Sequence, residues 1–361
     1  MDPSTAGRQI PVVVLAGFLG SGKTTLLNHL LRRRAGNRIA VVVNDFGAVE
    51  IDAMTVAGQV GSTVSLGNGC LCCAVDASEL DGYLERLSRP AARIDIIVIE
   101  ASGLAEPQEL VRMILAGDNP RTVYGGLVQV VDAAEFDATR ARHPETDRHL
   151  AIADLVVLNK TDRVTPAEHE RVRRETGALA PEAAVVSASY GRIDPGLLFD
   201  PATRPAEDEK ARQLSFEDLT ADDGHEHAHH PHTAYESLSF DEPAAMDPRR
   251  LMAFLDSRPE GLYRIKGFVD FGAADPGNRY AVHAVGRFLR FYPQPWPRGA
   301  ERRTQLVLIG SGIDRDALEK ELAVCAVTGA DAARGAEESA MWGVLRYVRS
   351  GPAAEEAADP V

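Results

Sequence analysis

Short runs of β-branched and aliphatic residues alternate with amphipathic segments over the first half of the chain. The runs lack polar alternation, so both faces of each predicted strand should be covered, as in a mostly parallel sheet between helices. The pattern therefore predicts an α/β domain over residues 8–194. Its predicted strands are Ile10–Ala16, Ile39–Val43, Ile94–Glu100, Val123–Asp132, Asp154–Leu158 and Ala184–Ser187, and its predicted helices are Lys23–Arg34, Ala77–Ser88, Pro107–Ala116 and Pro166–Thr176.

A different pattern begins after residue 232. The strands predicted there mostly follow one another along the chain, which favours antiparallel pairing in a smaller α+β domain over residues 233–326. An acidic, His-rich linker at 195–232 should join the domains, and residues 327–361 predict a partly disordered tail, with Met341–Val348 as an exception. The predicted elements are strands Ser237–Phe240, Leu262–Phe271, Arg279–Val285, Arg287–Tyr292 and Gln305–Ile309, and helices Pro248–Ser257 and Arg315–Val324.

Composition narrows the function classes. The 361 residues are 45% hydrophobic and 25% charged with a net charge of −14, as in a soluble globular protein. An acidic chain lacks the basic face that nucleic acid needs, so we expect no nucleic-acid partner. No apolar run approaches the roughly 18 residues of a membrane span, and the N-terminus lacks the layout of a signal peptide. We expect a cytoplasmic protein without a membrane partner.

Three of the four cysteines, Cys70, Cys72 and Cys73, lie within four positions. Disulfides inside so short a segment would be strained, so the spacing argues against a disulfide framework and for capture of a soft transition metal. Cys325 stands alone in an apolar helical stretch, and we expect it to be a buried structural thiol.

The segment Gly17–Thr25, Gly-Phe-Leu-Gly-Ser-Gly-Lys-Thr-Thr, follows a predicted buried strand and opens a predicted helix. In that context it predicts a P-loop, whose backbone N–H groups surround the β-phosphate of a nucleotide. Lys23 should bridge the β- and γ-phosphates, and the Thr24 hydroxyl should coordinate Mg²⁺. The predicted nucleotide-binding residues of this segment are Gly17, Gly20, Ser21, Gly22, Lys23, Thr24 and Thr25.

The segment Asn159-Lys160-Thr-Asp162, directly after a predicted strand, indicates the base. The Asp162 carboxylate can accept from N1–H and the 2-amino group of guanine, whereas adenine would leave it unpaired, so GTP should be preferred over ATP. Asn159 would brace the loop, and the Lys160 stem would lie over the base. Together the two segments predict a P-loop NTPase fold.

Glu100 ends a further apolar strand, where a carboxylate that serves Mg²⁺ directly or from the second shell belongs. The backbone N–H of Gly103 could lie against the γ-phosphate and report hydrolysis. The alternative is that Glu100 only caps the next helix. The predicted catalytic residues are therefore Lys23, Thr24, Glu100 and Gly103.

These segments occur in one order with two more, Asn44–Asp52 and Gly69–Cys73. In that order and spacing they resemble the CobW-type P-loop GTPases, a SIMIBI-class family of metallochaperones and metal-enzyme activators. The second domain looks like the CobW C-terminal domain in Arg264–Phe268 and Leu306–Gly310, so the resemblance covers about residues 8–325.

The resemblance implies a GTP-dependent metal site in which Cys72 works with the carboxylates Glu50 and Asp45 of the switch I segment. Cys70 and Cys73 are further candidate ligands. Thiolates favour Zn²⁺ or Co²⁺ over Mg²⁺, and a carboxylate can complete a tetrahedron. Asp45 stands where the family pattern has Glu, and its shorter carboxylate makes Glu50 the stronger candidate. The alternative for the cysteines is three small residues buried in a turn.

Residues 225–232, His-Glu-His-Ala-His-His-Pro-His, hold five of the ten histidines. Imidazoles this dense on an acidic loop can gather Zn²⁺, Co²⁺ or Ni²⁺ for loading or storage, and an idle polar linker is the alternative. The secondary metal candidates are His225, His227, His229, His230 and His232. We expect ordinary structural or surface roles for the others, His29, His143, His149, His169 and His283.

The leading hypothesis is a slow GTPase whose hydrolysis gates delivery of Zn²⁺ or Co²⁺ to a client metalloprotein. No water-positioning Gln or Arg finger is evident, which fits slow turnover that a client could speed up. The alternative is a metal-buffering or metal-sensing binding protein in which the nucleotide is mainly structural. A nucleotide kinase is disfavoured by Asn159–Asp162 and by the lack of an acceptor lid. A homodimer is compatible with either hypothesis.

Overall fold

The computed structural model describes residues 9–33, 36–43, 63–65, 77–101, 106–200, 235–327 and 338–349. They form two sheets, one parallel and one antiparallel, each with its own helices. The predicted P-loop-type α/β fold followed by a smaller α+β domain is therefore confirmed. None of the helices in the described part of the chain combines the length and apolar character needed to cross a bilayer.

The first sheet has seven parallel strands in the described residues. They are β1 (Ile10–Gly17), β2 (Ile39–Val43), β3 (Thr63–Ser65), β4 (Ile96–Glu100), β5 (Thr122–Asp132), β6 (Leu155–Asn159) and β7 (Ala184–Ser187), in the order β3-β2-β4-β1-β5-β6-β7. The helices of this domain are α1 (Lys23–Arg32), α2 (Ala77–Leu87), α3 (Pro107–Ala116), α4 (Phe136–Arg142), α5 (Glu145–Ala151) and α6 (Pro166–Leu179).

Burial on both faces explains the uninterrupted apolar runs. Alternate residues of β1 point to opposite sides of the sheet. Val13 belongs to the core that contains Leu26 of α1, whereas Val14 belongs to the core that contains Leu80 of α2 and Leu110 of α3. Each strand residue therefore buries its side chain whichever face it points to. Such burial stabilises the fold by about 1.5–3 kcal/mol for each large aliphatic side chain.

The strand register places the ends of several strands at one edge of the sheet. Glu100, the last residue of β4, pairs with Leu15 of β1 on one side and with Val43, the last residue of β2, on the other. Val43 also pairs with Ser65, the last residue of β3. The chain segments that follow β1, β2, β3 and β4 therefore all start from the same edge.

The second sheet is antiparallel and has five strands in the described residues. They are β8 (Glu236–Glu242), β9 (Leu262–Val269), β10 (Asn278–Val285), β11 (Phe288–Pro295) and β12 (Thr304–Gly310), in the order β11-β10-β9-β12-β8. Helices cover one face of it, and Leu251 and Leu318 from two of them share a core with Ile265 and Phe291 of the sheet. The helices of this domain are α7 (Pro248–Asp256), α8 (Arg315–Val324) and α9 (Trp342–Leu345).

The other face of the second sheet contacts the first domain. Tyr263, Val285 and Ile309 belong to the same core as α1. His283 Nε2 lies 2.8 Å from the carbonyl oxygen of Tyr124. Because a carbonyl oxygen only accepts, Nε2 is the donor in this bond. The Ser311 hydroxyl donates to the Val185 carbonyl oxygen at 3.0 Å. The two domains therefore share apolar core and hydrogen bonds.

Several elements differ from the sequence prediction. The short helices α4 and α5 and the three-residue strand β3 were not predicted, and α6 runs three residues past its predicted end at Thr176. Residues 195–200 were assigned to the linker, yet Leu197, Leu198 and Phe199 are buried in the first domain's core. At the other end, a 3₁₀ turn at Glu338–Met341 precedes α9, and both pack on α7, so the folded part of the tail begins slightly before its predicted exception, Met341–Val348.

Candidate functional site

The glycine segment forms a tight turn between β1 and α1. Gly20 and Gly22 have φ of 78° and 104°, a left-handed backbone that glycine adopts at low cost. A Cβ on Gly22 would also overlap the Nδ2 atom of Asn159, so space is a second reason for glycine there. Helix α1 begins directly after Gly22. Its first turn carries backbone N–H groups with no helical acceptor, which favours an anion at this end.

Lys23 supplies a buried cation to this turn. Its side chain is folded back, with Nζ donating to the carbonyl oxygens of Gly17 at 2.8 Å and Phe18 at 3.4 Å. Only 8% of the residue is exposed. A neutral carbonyl is a weaker partner for an ammonium than a phosphate oxygen. The turn therefore has both the helix end and the charge that phosphate binding requires.

Thr24 and Glu100 meet between α1 and the end of β4. The Thr24 hydroxyl donates to Glu100 Oε1 at 3.0 Å, and Glu100 is 6% exposed. A hydroxyl beside a carboxylate is a pair of hard oxygen donors, the chemistry that Mg²⁺ prefers. The residues present therefore fit a magnesium ion next to the phosphate turn.

Asn159 joins three loops. Its Nδ2 donates to the Ser21 carbonyl oxygen at 2.9 Å, and its Oδ1 accepts from the Gly191 N–H at 2.9 Å. Asn159 is 1% exposed, so neither bond competes with water. The bracing role predicted for this side chain matches its position between the glycine turn and the loop after β7.

Lys160 follows in a left-handed conformation, with φ of 59°. Its Nζ donates to the Gly20 carbonyl oxygen at 2.7 Å and pairs with Asp132 Oδ2 at 2.6 Å. Both contacts fix the stem of the side chain beside the glycine turn. Asp162, two residues on, is exposed, and its carboxylate has no hydrogen bond or ion pair within the described residues. It is therefore available to a ligand.

Asp132 was not singled out from the sequence, although it orients Lys160. The signal was present, because Asp132 ends the apolar strand β5 as Glu100 ends β4. Its register partner is Asn159, the end of β6, which puts it at the same edge. An acidic residue closing a buried parallel strand was the pattern to look for.

A cavity of about 320 Å³ lies beside the glycine turn, and Phe18, Leu19, Gly20 and Ser21 of the turn line it. Lys23 and Thr24 do not line it. One wall carries Gln129, which is 2% exposed and whose Oε1 has no hydrogen-bond partner among the described residues. The aromatic ring of Phe18, also in the wall, packs on His143 with 4.3 Å between ring centroids.

The predicted transition-metal residues fall outside the described residues. These are Asp45, Glu50, Cys70, Cys72, Cys73, His225, His227, His229, His230 and His232, and the predicted catalytic residue Gly103 does so as well. Within the described ranges, no group of three or more His, Cys, Asp or Glu side chains could hold a metal ion.

The remaining cysteine and histidines have structural contacts. Cys325 is 3% exposed and donates to the Glu321 carbonyl oxygen at 3.3 Å, and burial raises the pKa of its thiol to about 11. Its predicted role as a buried structural thiol is confirmed. His29 bonds to the Ile193 carbonyl oxygen at 2.9 Å, and His169 bonds to a serine hydroxyl at 2.7 Å.

Comparison with known proteins gives two family matches and several relatives. The model for the CobW/HypB/UreG nucleotide-binding domain matches residues 11–187. The model for the cobalamin synthesis protein cobW C-terminal domain matches residues 235–326. A zinc chaperone CobW of Sinorhizobium sp is 31% identical over 341 residues, which cover 84% of this chain and 93% of that protein.

Two further relatives also have names that refer to zinc. A zinc chaperone CobW of Pseudomonas aeruginosa is 34% identical over 361 residues, covering 87% of this chain and 91% of that protein. The zinc-regulated GTPase metalloprotein activator 1 of Schizosaccharomyces pombe is 33% identical over 196 residues, covering 51% of this chain and 47% of that protein.

Proposed function

Because the chain belongs to the CobW family of P-loop GTPases, we propose that it is a GTP-hydrolysing metallochaperone that delivers Zn²⁺ or Co²⁺ to a client protein. The metal would be its cargo, bound in a site of thiolates and carboxylates whose affinity depends on the nucleotide. The names of the relatives favour zinc as that cargo.

The phosphate end of GTP would lie in the glycine turn. The residues that would hold it are Gly17, Gly20, Ser21, Gly22, Lys23, Thr24 and Thr25. Lys23 would exchange its two carbonyl acceptors for β- and γ-phosphate oxygens. Thr24 and Glu100 would hold Mg²⁺, which when bound neutralises charge that develops on the phosphate oxygens. Gly103 would contact the γ-phosphate through its backbone N–H.

The base would be read by the loop after β6. The exposed Asp162 carboxylate would accept from both N1–H and the 2-amino group of guanine. The Lys160 stem, fixed by Gly20 and Asp132, would cover one face of the ring. Asn159 would keep this loop in register with the phosphate turn.

One observation carries the proposed link between nucleotide and cargo. Val43, Ser65 and Glu100 are register partners across three neighbouring strands. Neighbouring strands are about 4.8 Å apart, so the chain leaves β2 and β3 within roughly 10 Å of Glu100. Asp45 comes two residues after Val43, and Cys70 comes five residues after Ser65. Both metal-binding segments would therefore start beside the magnesium-binding pair.

This arrangement supports a switch in which the nucleotide state changes the affinity for the metal cargo. In the triphosphate state, γ-phosphate and Mg²⁺ would order the segment that contains Asp45 and Glu50. Its carboxylates would then complete a site around Cys72, with Cys70 and Cys73 as further thiolate ligands. Hydrolysis would remove that support and weaken cargo binding. The five histidines at 225–232 would raise the local supply of metal.

A single-turnover experiment tests the proposal. The protein is loaded with Zn²⁺ and GTP–Mg²⁺, and Zn²⁺ release to a chromophoric chelator is followed together with phosphate release. We expect the two to have the same rate in the unaltered protein. Cys72→Ala should abolish the zinc signal and keep phosphate release. Cys325→Ala is the matched control because this thiol lies outside the cluster.

Other outcomes separate the alternatives. Zinc release that is equally fast with GDP would favour a metal buffer in which the nucleotide is structural. Unchanged zinc loading in Cys72→Ala would exclude the thiolate site.

A further inference from the structure

The loop after β7, residues 188–191, is bound by hydrogen bonds to the loop after β6, which is proposed to read the base. The Thr161 N–H and hydroxyl both donate to the Ala188 carbonyl oxygen, at 3.2 and 3.0 Å. Gly191 N–H donates to Asn159 Oδ1 at 2.9 Å. The loop position is fixed further by Gly191, where a Cβ would press on the backbone of Leu26. Residues 188–191 and Asn159–Asp162 therefore form one fixed unit, which borders the proposed guanine site.

Tyr190 projects from this fixed loop. It has φ of 56°, a left-handed backbone that is unfavourable for a residue with a Cβ. Its neighbours on the loop, Ala188 and Gly191, are buried, whereas Tyr190 is 66% exposed. Arg192 lies 5.9 Å from the ring centroid. A strained backbone thus holds a large aromatic ring in solvent at the border of the nucleotide site.

The left-handed residues show a pattern. Among the described residues three non-glycine positions have positive φ, and two of them are Lys160 and Tyr190. Both lie on the two loops that Asn159 and Thr161 join. Strained backbone that the surrounding structure fixes is frequently found at ligand sites, where it positions a side chain in advance. Lys160 already offers its stem to one face of the base.

Building on the proposed GTP site, we infer that Tyr190 stacks on the face of the guanine ring opposite the Lys160 stem. A planar base has two faces, and each is best covered by an aromatic ring or an aliphatic stem. Stacking does not depend on which base is present, because every base has a π-face. Tyr190 would therefore supply affinity, and Asp162 would supply the choice of guanine.

Calorimetric titration with two probes tests this inference on the full-length protein. GDP contains the base, and inorganic pyrophosphate contains only the phosphate part. We expect Tyr190→Ala to weaken GDP binding by roughly five- to 150-fold, the range for loss of one base–aromatic stack. Pyrophosphate affinity should stay the same, and Tyr190→Phe should bind GDP like the unaltered protein.

Two further variants separate stacking from folding. Tyr190→Gly should relieve the left-handed strain, so it should bind GDP weakly while its Tm stays at or above that of the unaltered protein. Tyr83→Ala is the matched control, because Tyr83 also carries an arginine over its ring, at 4.5 Å, but lies on α2. It should leave GDP affinity unchanged. Inosine diphosphate should lose affinity in Tyr190→Ala by the same factor as GDP.

Three results would overturn the inference. GDP affinity that is unchanged in Tyr190→Ala would show that the ring does not touch the base, with the proposed GTPase site intact. Equal losses for GDP and pyrophosphate would show that Tyr190 only supports the fold of the loop. Failure of the unaltered protein to bind GDP, with pyrophosphate still bound, would overturn the proposed guanine site and this inference with it.

Discussion

The Nδ2 atom of Asn159 donates to the carbonyl oxygen of Ser21 at 2.9 Å across 138 residues of sequence. This bond joins the loop after β6 to the glycine turn, the two segments proposed to bind the base and the phosphates. The Oδ1 atom of the same amide accepts from the Gly191 N–H, so one buried side chain sets the positions of three loops. A nucleotide that bridges phosphate and base sites depends on that spacing.

Asn159→Ala should therefore reduce both stability and nucleotide affinity. Two buried backbone groups would lose their partners, at a cost of about 1–3 kcal/mol each. We expect a lower Tm without nucleotide and weaker GDP binding by calorimetry. Asn119→Ala is the control, because it removes two amide bonds away from the site, one donated to the Ser88 hydroxyl and one accepted from the Arg121 N–H. An unchanged Tm in Asn159→Ala would contradict the bracing role.

Gly22→Ala should abolish nucleotide binding. The added Cβ would overlap Asn159 Nδ2, and φ of 104° would strain the new residue. Gly82→Ala is a control with the opposite expectation, because Gly82 lies inside α2 with open space around its Cβ position. It should raise stability by about 0.5–1 kcal/mol. Fluorescent GDP binding and Tm together distinguish the two outcomes.

Glu100→Gln should weaken the affinity for the Mg²⁺ that supports GTP hydrolysis. The amide keeps the size of the side chain and can still accept from the Thr24 hydroxyl, but it lacks the charge that would hold the cation. We expect the Mg²⁺ concentration for half-maximal activity to rise roughly 10- to 100-fold. Metal-free GDP binding should change little. If the Mg²⁺ requirement stays the same, Glu100 is only a helix cap.

Two titratable groups at the domain junction, Asp154 and His283, should change the free energy of unfolding in opposite directions as pH falls. Burial raises the pKa of Asp154 to about 6, and burial lowers the pKa of His283 to about 4. Asp154 binds its proton more tightly when folded, so its contribution to stability is fully present below pH 4 and is lost as pH rises to about 6. His283 is neutral when folded, so its contribution is present above pH 6.5 and is lost as pH falls towards 4.

In Asp154→Asn, the pH dependence of stability should therefore show the contribution of His283 without the opposing contribution of Asp154. The amide can still accept from the Tyr124 hydroxyl, which donates to Asp154 at 2.5 Å. At pH 7.5 the variant should be more stable, by up to about 3 kcal/mol, because no charge is buried. Its Tm should then fall between pH 6.5 and pH 4.5 more steeply than that of the unaltered protein. Parallel Tm curves for the two proteins would contradict the raised pKa of Asp154.

The sequence predicted elements with strong local signals. The continuous apolar runs of β4 and β6 and the first-turn prolines of α3 and α6 are such signals. The helices α4 and α5 have seven residues each, too few turns for a period to emerge. A turn at Asp194 and Pro195 precedes the buried residues 197–199 and favours a linker in the sequence prediction. The contact that shows otherwise is between Leu198 and Arg264, 66 residues away, and local pattern does not indicate it.

The candidate site divides in the same way. The residues proposed for phosphate and base form contiguous segments, so the sequence alone predicts their chemistry together with the strands that carry them. Asp132 and Tyr190 act through neighbours distant in sequence, Lys160 and the Asn159 loop. Local pattern can mark Asp132 as an acidic strand end, but it does not show which distant residue each side chain meets, because only the strand order brings these segments together.

The central claim is that nucleotide state sets metal affinity. The most direct measurement is a competition titration of Zn²⁺ against a chromophoric chelator, with Mg²⁺ and either GDP or a non-hydrolysable GTP analogue. We predict zinc binding that is tighter by roughly tenfold or more in the triphosphate state, and loss of that difference in Glu50→Ala and Cys72→Ala. The same Kd for zinc with both nucleotides in the unaltered protein would contradict the account.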